Sequence, residues 1–504
     1  MPSAISFNNQ FLTLSERENL VRVESPLSSL TSSSDEGDEE ELELLTPQGS
    51  CRDLDTRILR EHEISTAPLV TRAAFVAAGG QKTFPQRGVL GQLLDYDCPD
   101  PTSSNPSSTD RLYINTNAPF STLVCGVQGS GKSHTVSLML ENMLITECAS
   151  IGRQRKPLSG LVLHFGEGGT TTLPSEAAWI AVADQGVFEA PRVRVFVSKS
   201  SLNTMKAVYA PLGDRVTVSP LLFTEGELDA QAFLTMMAVG STESAPLYIQ
   251  TILSILRSLG ESFTVEKFMT KLEQEKKNLL PTQLTALKQR MALLESFIDK
   301  KSIKSRQFPP DRFTPGELTI IDLSDPFVDP AAACNFFEVI TRAFVRADLG
   351  TGKVLLVDEA HKYLSAQNGG SGLTKELLSL IRQQRHYAMR VIISTQEPTV
   401  VPPVLIDLCT VTILHRFSSP AWWEHVAKHV SANMTSTEAF DRVVRLQTGH
   451  AIVLAPTALR VVAENGVYFE NTQDRVRQFG RAWMLVATRR RVTKDGGASI
   501  MVVN

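Results

Sequence analysis

Cysteine is scarce in this chain of 504 residues: Cys51, Cys98, Cys125, Cys148, Cys334 and Cys409 are its six, with no C-x-x-C pair and no paired histidines nearby. That spacing offers neither a zinc site nor a disulfide framework, and a reducing compartment follows. Long apolar runs are missing too. The longest, such as 353–357 and 482–487, fall far short of the ~20 residues a bilayer demands, so no membrane partner is expected. The opening MPSAIS lacks the basic and apolar regions of a secretory leader, so the chain is expected inside the cell, in nucleus or cytoplasm, and not secreted. No internal repeat is visible. With 42% hydrophobic and 21% charged residues, the composition excludes a fibrous or wholly disordered chain.

Charge is unevenly spread. Residues 1–50 hold ten acids and two bases, a net of −8, which leaves the rest of the chain at +4 against the overall −4. The stretch 28–43 (SSLTSSSDEGDEEELE) is too polar and self-repelling to offset its ordering entropy by burial, so residues 1–56 read as a disordered acidic arm. The serines before the acid block make it a candidate tail for a protein partner or for phosphorylation. Residues 57–110 read as a poorly ordered lead-in, with a Pro/Ser linker at 97–110 (DCPDPTSSNPSSTD). The body is expected at 111–470, with a helical insertion at about 225–312, followed by a C-terminal extension at 471–504 with a basic segment.

The strongest motif is GVQGSGKS at 126–133, which matches G-x-x-x-x-G-K-[ST] at every fixed position. An apolar run (STLVC) precedes it, and Val136, Met139, Leu140, Met143 and Leu144 follow at helical spacing, giving strand, loop and helix in the required order. The candidate phosphate-binding residues are Gly126, Gln128, Gly129, Ser130, Gly131, Lys132, Ser133 and His134. Glycines let backbone N–H groups turn inward around phosphates at the positive end of a helix dipole. Lys132 would bridge the terminal phosphates and Ser133 would bind magnesium.

The second motif, GKVLLVDEAH at 352–361, is an apolar strand ending in two carboxylates. Ligands of open α/β sheets sit at the carboxyl ends of the strands, which brings Asp358 to the magnesium shell. Successive side chains diverge, so Glu359 would reach the water attacking the γ-phosphate as a general base. A third run, RVIISTQ at 390–396, would place Gln396 or Thr395 near the γ-phosphate. Just ahead of it, Arg382, Arg385 and Arg390 are surface bases or arginine-finger candidates.

In this order the residues resemble the HerA/FtsK superfamily of P-loop ATPases (ASCE, RecA-like), the HerA branch in particular, over 111–468. The resemblance rests on NAPFSTLVCGVQGSGKSHT, GLVLHFGEGG, ELTIIDLSDPF, KVLLVDEAHKYL, RQQRHYAMRVIISTQEP, VLIDLCTVTILHRF and GHAIVLAP. It implies an α/β fold: a RecA-like core of mostly parallel sheet flanked by helices, with a helical insertion, behind the disordered arm. It further implies ATP and Mg2+ as ligands, a hexameric ring of identical subunits, Arg385 as a finger completing a neighbour's site, and DNA driven through the pore. Lys300, Lys301, Lys304 and Arg306, and the basic 489–491, are solvated-loop bases or candidate pore contacts. Two departures stand out. Residues 1–110 carry no row of alternating strands like the family's leading β-barrel, and HFGE at 164–167 replaces an Asp-containing motif, with Glu167 as its substitute or the role lost.

Other nucleotide-driven classes lack their marks. The S-A-T and Q-x-x-G-R-x-G-R motifs of DEAH helicases, the L-S-G-G-Q of ABC ATPases and the N-K-x-D of GTPases are absent. His425 and His429 stand at i, i+4 without a third ligand and read as packing or a subunit surface. The leading expectation is an ATPase that moves or remodels DNA, and the alternative is an ATP-dependent oligomeric switch or scaffold without translocation.

Overall fold

The β-branched runs of the sequence have few polar positions because the sheet they build is covered on both faces. The computed structural model describes residues 59–97, 110–169, 171–184, 188–237, 247–299, 312–364, 372–430, 436–462 and 475–497. The acidic arm, the interior of the Pro/Ser linker and the bases Lys300, Lys301, Lys304 and Arg306 lie outside them.

In chain order the strands are β1 (Leu69–Thr71), β2 (Arg87–Tyr96), β3 (Arg111–Asn115), β4 (Ser121–Cys125), a small hairpin of β5 (Glu147–Cys148) and β6 (Gly152–Arg153), β7 (Ser159–His164), β8 (Val193–Val197) and β9 (Val216–Pro220). They continue with β10 (Leu318–Asp322), β11 (Lys353–Val357), β12 (Met389–Thr395), β13 (Val411–Leu414), β14 (His450–Leu454), β15 (Leu459–Val461), β16 (Val476–Gln478) and β17 (Trp483–Thr488). Among the described residues one sheet takes 15 of them, in the order β16-β15-β1-β3-β2-β17-β14-β13-β4-β12-β11-β7-β10-β8-β9. From β13 to β9 every pairing is parallel. This is an α/β core with a mostly parallel sheet between helices, the arrangement of a RecA-like P-loop NTPase.

Alternation along each strand feeds two cores. On β11, Leu355 and Val357 join the cluster with the helices of residues 230–296, whereas Val354 and Leu356 join the cluster around helix Lys132–Leu144. Helix Pro330–Arg346 packs in the first of these. Its start is set locally: the Asp329 side chain accepts from the Ala332 N–H at 2.8 Å, and Pro330 occupies a first-turn position that needs no donor.

The expected boundaries meet a different division of labour. The lead-in at 57–110 holds β1 and all of β2, and the extension at 471–504 holds β16 and β17, all hydrogen-bonded into the main sheet. β2 pairs with β17 from the other end of the chain. A register shift between Val89 and Gly91 breaks the period-2 pattern of β2. Among the described residues no helix is long and apolar enough to cross a membrane.

Candidate active site

The loop at 126–133 leaves the end of β4 and enters helix Lys132–Leu144 through Gly131, at φ +107°. A side chain at Gly126 would put its Cβ 2.7 Å from both the His415 Cβ and the Ser130 Oγ, so only hydrogen fits there. Beneath the loop His415 is fully buried; its Nε2 lies 2.9 Å from the Thr135 hydroxyl and its Nδ1 3.0 Å from the His450 carbonyl. Burial pulls its pKa down to about 4, so the ring is neutral, donating to the carbonyl and accepting from Thr135.

β12 lies between β4 and β11, so the ends of three parallel strands converge on the loop. Lys132, 4% exposed, places its Nζ 3.3 Å from the Glu359 Oε1. Gln396 donates its amide to both Glu359 oxygens, at 3.1 and 2.9 Å. Glu359 is held at φ +50°, ψ +43°, in the left-handed region. Thr395 is spent locally, its hydroxyl accepting from the Glu397 N–H at 3.1 Å.

Asp358 turns the other way. Its Oδ2 lies 3.1 Å from the His164 Nδ1 at the end of β7. Burial alone would raise the Asp358 carboxyl, but the hydrogen bond and charge of His164, with Lys132, overcome it and hold the group below its ordinary value. Burial opposes charge on His164 as well, yet its bond to Asp358 and the negative charges of Asp322 and Asp358 push it up to about 8. The pair is therefore ionic at neutral pH.

Lys132, His164, Asp358, Glu359 and Gln396 line a cavity of about 990 Å³, together with Gln128, Gly129, Gly131, Ser133 and His134. Of the phosphate-loop candidates, Gly126 and Ser130 lie behind it: the Ser130 hydroxyl is buried and donates to the Val127 carbonyl at 2.7 Å. His134 reaches the Arg489 carbonyl at 2.8 Å. A glycine-rich loop at a helix N-terminus, the buried Lys132 ammonium, the Glu359 and Asp358 carboxyls and the Ser133 hydroxyl border one cavity, a set of groups whose chemistry suits an anion together with a hard cation.

The fold is that of a P-loop NTPase.

No protein-family profile matches the sequence, and no curated protein does. Among solved structures, the chain is similar to the bacterial conjugative coupling protein TrwBΔN70 in its unbound monoclinic form, 11% identical over 73% of this chain and 91% of that one, with a TM-score of 0.41. It is similar to VirB4 of Thermoanaerobacter pseudethanolicus, 13% identical over 73% and 94%, with a TM-score of 0.38. The genome packaging NTPase B204 from Sulfolobus turreted icosahedral virus 2, in complex with ATPγS, is 20% identical over 28% of this chain, with a TM-score of 0.23. The chain spans 64% of the length of that NTPase.

Arg385 is not brought to this site. It is exposed in the turn before β12, at the opposite end of the strand from Gln396. Arg390 is committed to structure, its guanidinium donating to the carbonyls of Ala118, Ala388 and Thr116. Glu167 is exposed at the cavity edge. His429 pairs at the surface with Asp407 at 2.8 Å. Sequence reading missed Glu176, which shares the cavity wall with Ser133, and the cavity-lining place of residues 488–490 and 495–497; of the basic 489–491 read as pore-contact candidates, Arg489 instead pairs with the buried Glu141 at 2.7 Å. Neither Glu176 nor the C-terminal stretch carries a motif.

Proposed function

We propose that this chain is a magnesium-dependent ATPase of the HerA-like type, which assembles as a hexameric ring and couples hydrolysis to the movement or remodelling of DNA. One observation carries the reading: Lys132, Glu359 and Gln396 meet beside the phosphate loop at the carboxyl end of a parallel sheet. The β- and γ-phosphates enter the nest of amides, and Lys132 turns from Glu359 to the terminal phosphate oxygens. That exchange replaces one anionic partner by another, so the buried ammonium never stands alone. Glu359, relieved of the ion pair, accepts the proton of the attacking water. Gln396 then gives up its bond to Glu359 and reports the γ-phosphate to its strand.

Ser133 and Asp358 would hold the magnesium ion, which when bound neutralises charge on the phosphates. Among the described residues no group of three or more His, Cys, Asp or Glu side chains is placed to hold a metal, and magnesium needs none, because one or two carboxylates, phosphates and water suffice. The seven residues of β12 separate Arg385 from the Gln396 of its own chain by about 20 Å, so Arg385 can complete only a neighbour's site. DNA contacts in the pore would be sequence-independent and salt-dependent.

The test is the steady-state ATP hydrolysis rate with and without double-stranded DNA, with Glu359→Gln as the inactive control. The proposal expects a rate that rises with DNA. A hydrolysis rate indifferent to DNA, with no ring formed on nucleotide, would leave an oligomeric switch in place of a motor.

A further inference from the structure

Behind Ser133 lies a carboxylate that no motif marks. Glu176 opens a short 3-10 turn (Glu176–Ala181) at the rim of the cavity, on the same wall as Ser133, whose hydroxyl is near enough to act on its carboxyl as a hydrogen-bond donor. Lys132, Asp358 and Asp495 are near enough to act on its charge. A hydroxyl that donates to a carboxylate behind it turns its lone pairs forward, the orientation a cation ligand needs.

The far end of the chain keeps Glu176 in place. After β17 the segment 489–497 runs over helix Lys132–Leu144 and is fastened to the fully buried Glu141. The Oε1 of Glu141 accepts from the Val492 N–H at 3.1 Å, the Thr493 N–H at 3.0 Å and the Thr493 hydroxyl at 2.6 Å. Arg489 pairs with the other Glu141 oxygen at 2.7 Å. A second line of bonds stitches the same segment to the residues following Glu176: the Asp184 N–H donates to the Val492 carbonyl at 2.9 Å and the Lys494 N–H to the Val182 carbonyl at 2.8 Å. So anchored, Gly496 lies flush on the Trp179 indole, and Gly497 lies so close to Glu176 that an added Cβ would come 2.4 Å from its Oε1.

We propose that Glu176 is a positioning residue of the cation site: it holds the Ser133 hydroxyl toward the magnesium ion and accepts hydrogen bonds from the water molecules of that ion, with Gly496 and Gly497 as the wall that keeps it there. The inference rests on the nucleotide-binding reading above. It adds an outer carboxylate behind the Ser133–Asp358 pair and gives the C-terminal segment a part in the site. Outer partners of this kind typically set metal affinity by about 10- to 100-fold.

The test is binding of a fluorescent N-methylanthraniloyl ATP to the full chain, first in EDTA and then across a MgCl2 titration. Glu176→Gln should raise the half-saturating magnesium concentration by about 10-fold or more, while binding in EDTA stays as tight as in the unaltered protein, since removing a carboxylate repels the triphosphate less. Gly497→Ala removes no charge and should shift the magnesium requirement the same way by displacing Glu176; it also serves if Glu176→Gln does not fold. Both variants titrating like the unaltered protein overturns the inference and leaves the nucleotide site standing. Equal weakening with and without magnesium overturns it too, because that marks a purely structural role. If the unaltered chain binds no nucleotide at any magnesium concentration, this inference and the nucleotide reading fall together.

Discussion

Glu359 sits at φ +50° without being a glycine, a conformation that costs on the order of 1–2 kcal/mol and persists only where its surroundings impose it. Here Lys132 and Gln396 do so, through bonds of 3.3, 3.1 and 2.9 Å. The lysine is almost fully buried, so removing its partner leaves an uncompensated charge, at a cost of about 3–5 kcal/mol. Glu359→Gln should therefore lower the thermal unfolding midpoint of the nucleotide-free protein, and added ATP should recover most of the loss; a midpoint unchanged without nucleotide would show the pair to be idle. His415 makes a second prediction at this scale. Its folded pKa of about 4 lies below the 6.5 of an unfolded histidine, so the unfolded chain takes up the proton first as pH falls. Stability is complete above pH 6.5 and declines toward pH 4, by about 3 kcal/mol from this group. Thermal unfolding followed between pH 8 and pH 4 should show that decline, and His415→Gln should flatten it.

At the scale of elements, the parts legible in the sequence are those whose chemistry is contiguous. Lys132 and Ser133 stand inside one loop, Asp358 and Glu359 end one strand and Gln396 ends another, so each motif names its own place. That β12 lies between β4 and β11, bringing Gln396 onto Glu359, follows from pairing rather than from any local pattern. What stayed hidden depends on distant partners. β2 is a strand because β3 and β17 bond to it across a register shift, and Glu176 gains meaning only from Ser133 and Gly497. The segment 489–497 is held chiefly through Glu141, a buried acid that in sequence is one more residue of an apolar helix. Glu141→Ala should free it: amide exchange at Val492 and Thr493 should accelerate strongly while the amides of β12 keep their protection. Exchange unchanged at both residues would mean that the bonds to Val182 and Asp184 suffice.

At the scale of the whole molecule, β1 to β3 from before the phosphate loop and β16 and β17 from after residue 475 join the same sheet as the parallel core strands among the described residues. The site opens at the carboxyl ends of the parallel strands, and the exposed Arg385 lies at their other ends, so the proposed ring requires Arg385 to act on a neighbouring copy. Arg385→Ala should reduce turnover by about 10³-fold or more while nucleotide binding persists, and mixing it with Glu359→Gln should restore part of the rate in joint assemblies. Absence of complementation would place the missing positive charge elsewhere. The most direct measurement of all is the titration of ATP against the unaltered chain, Lys132→Ala and Glu359→Gln, with hydrolysis followed in parallel. The account predicts that Lys132→Ala loses binding, and that Glu359→Gln binds at least as tightly as the unaltered chain, its lysine already released, while its turnover falls by about 10²-fold or more. Wild-type affinity in Lys132→Ala, or wild-type turnover in Glu359→Gln, would contradict it.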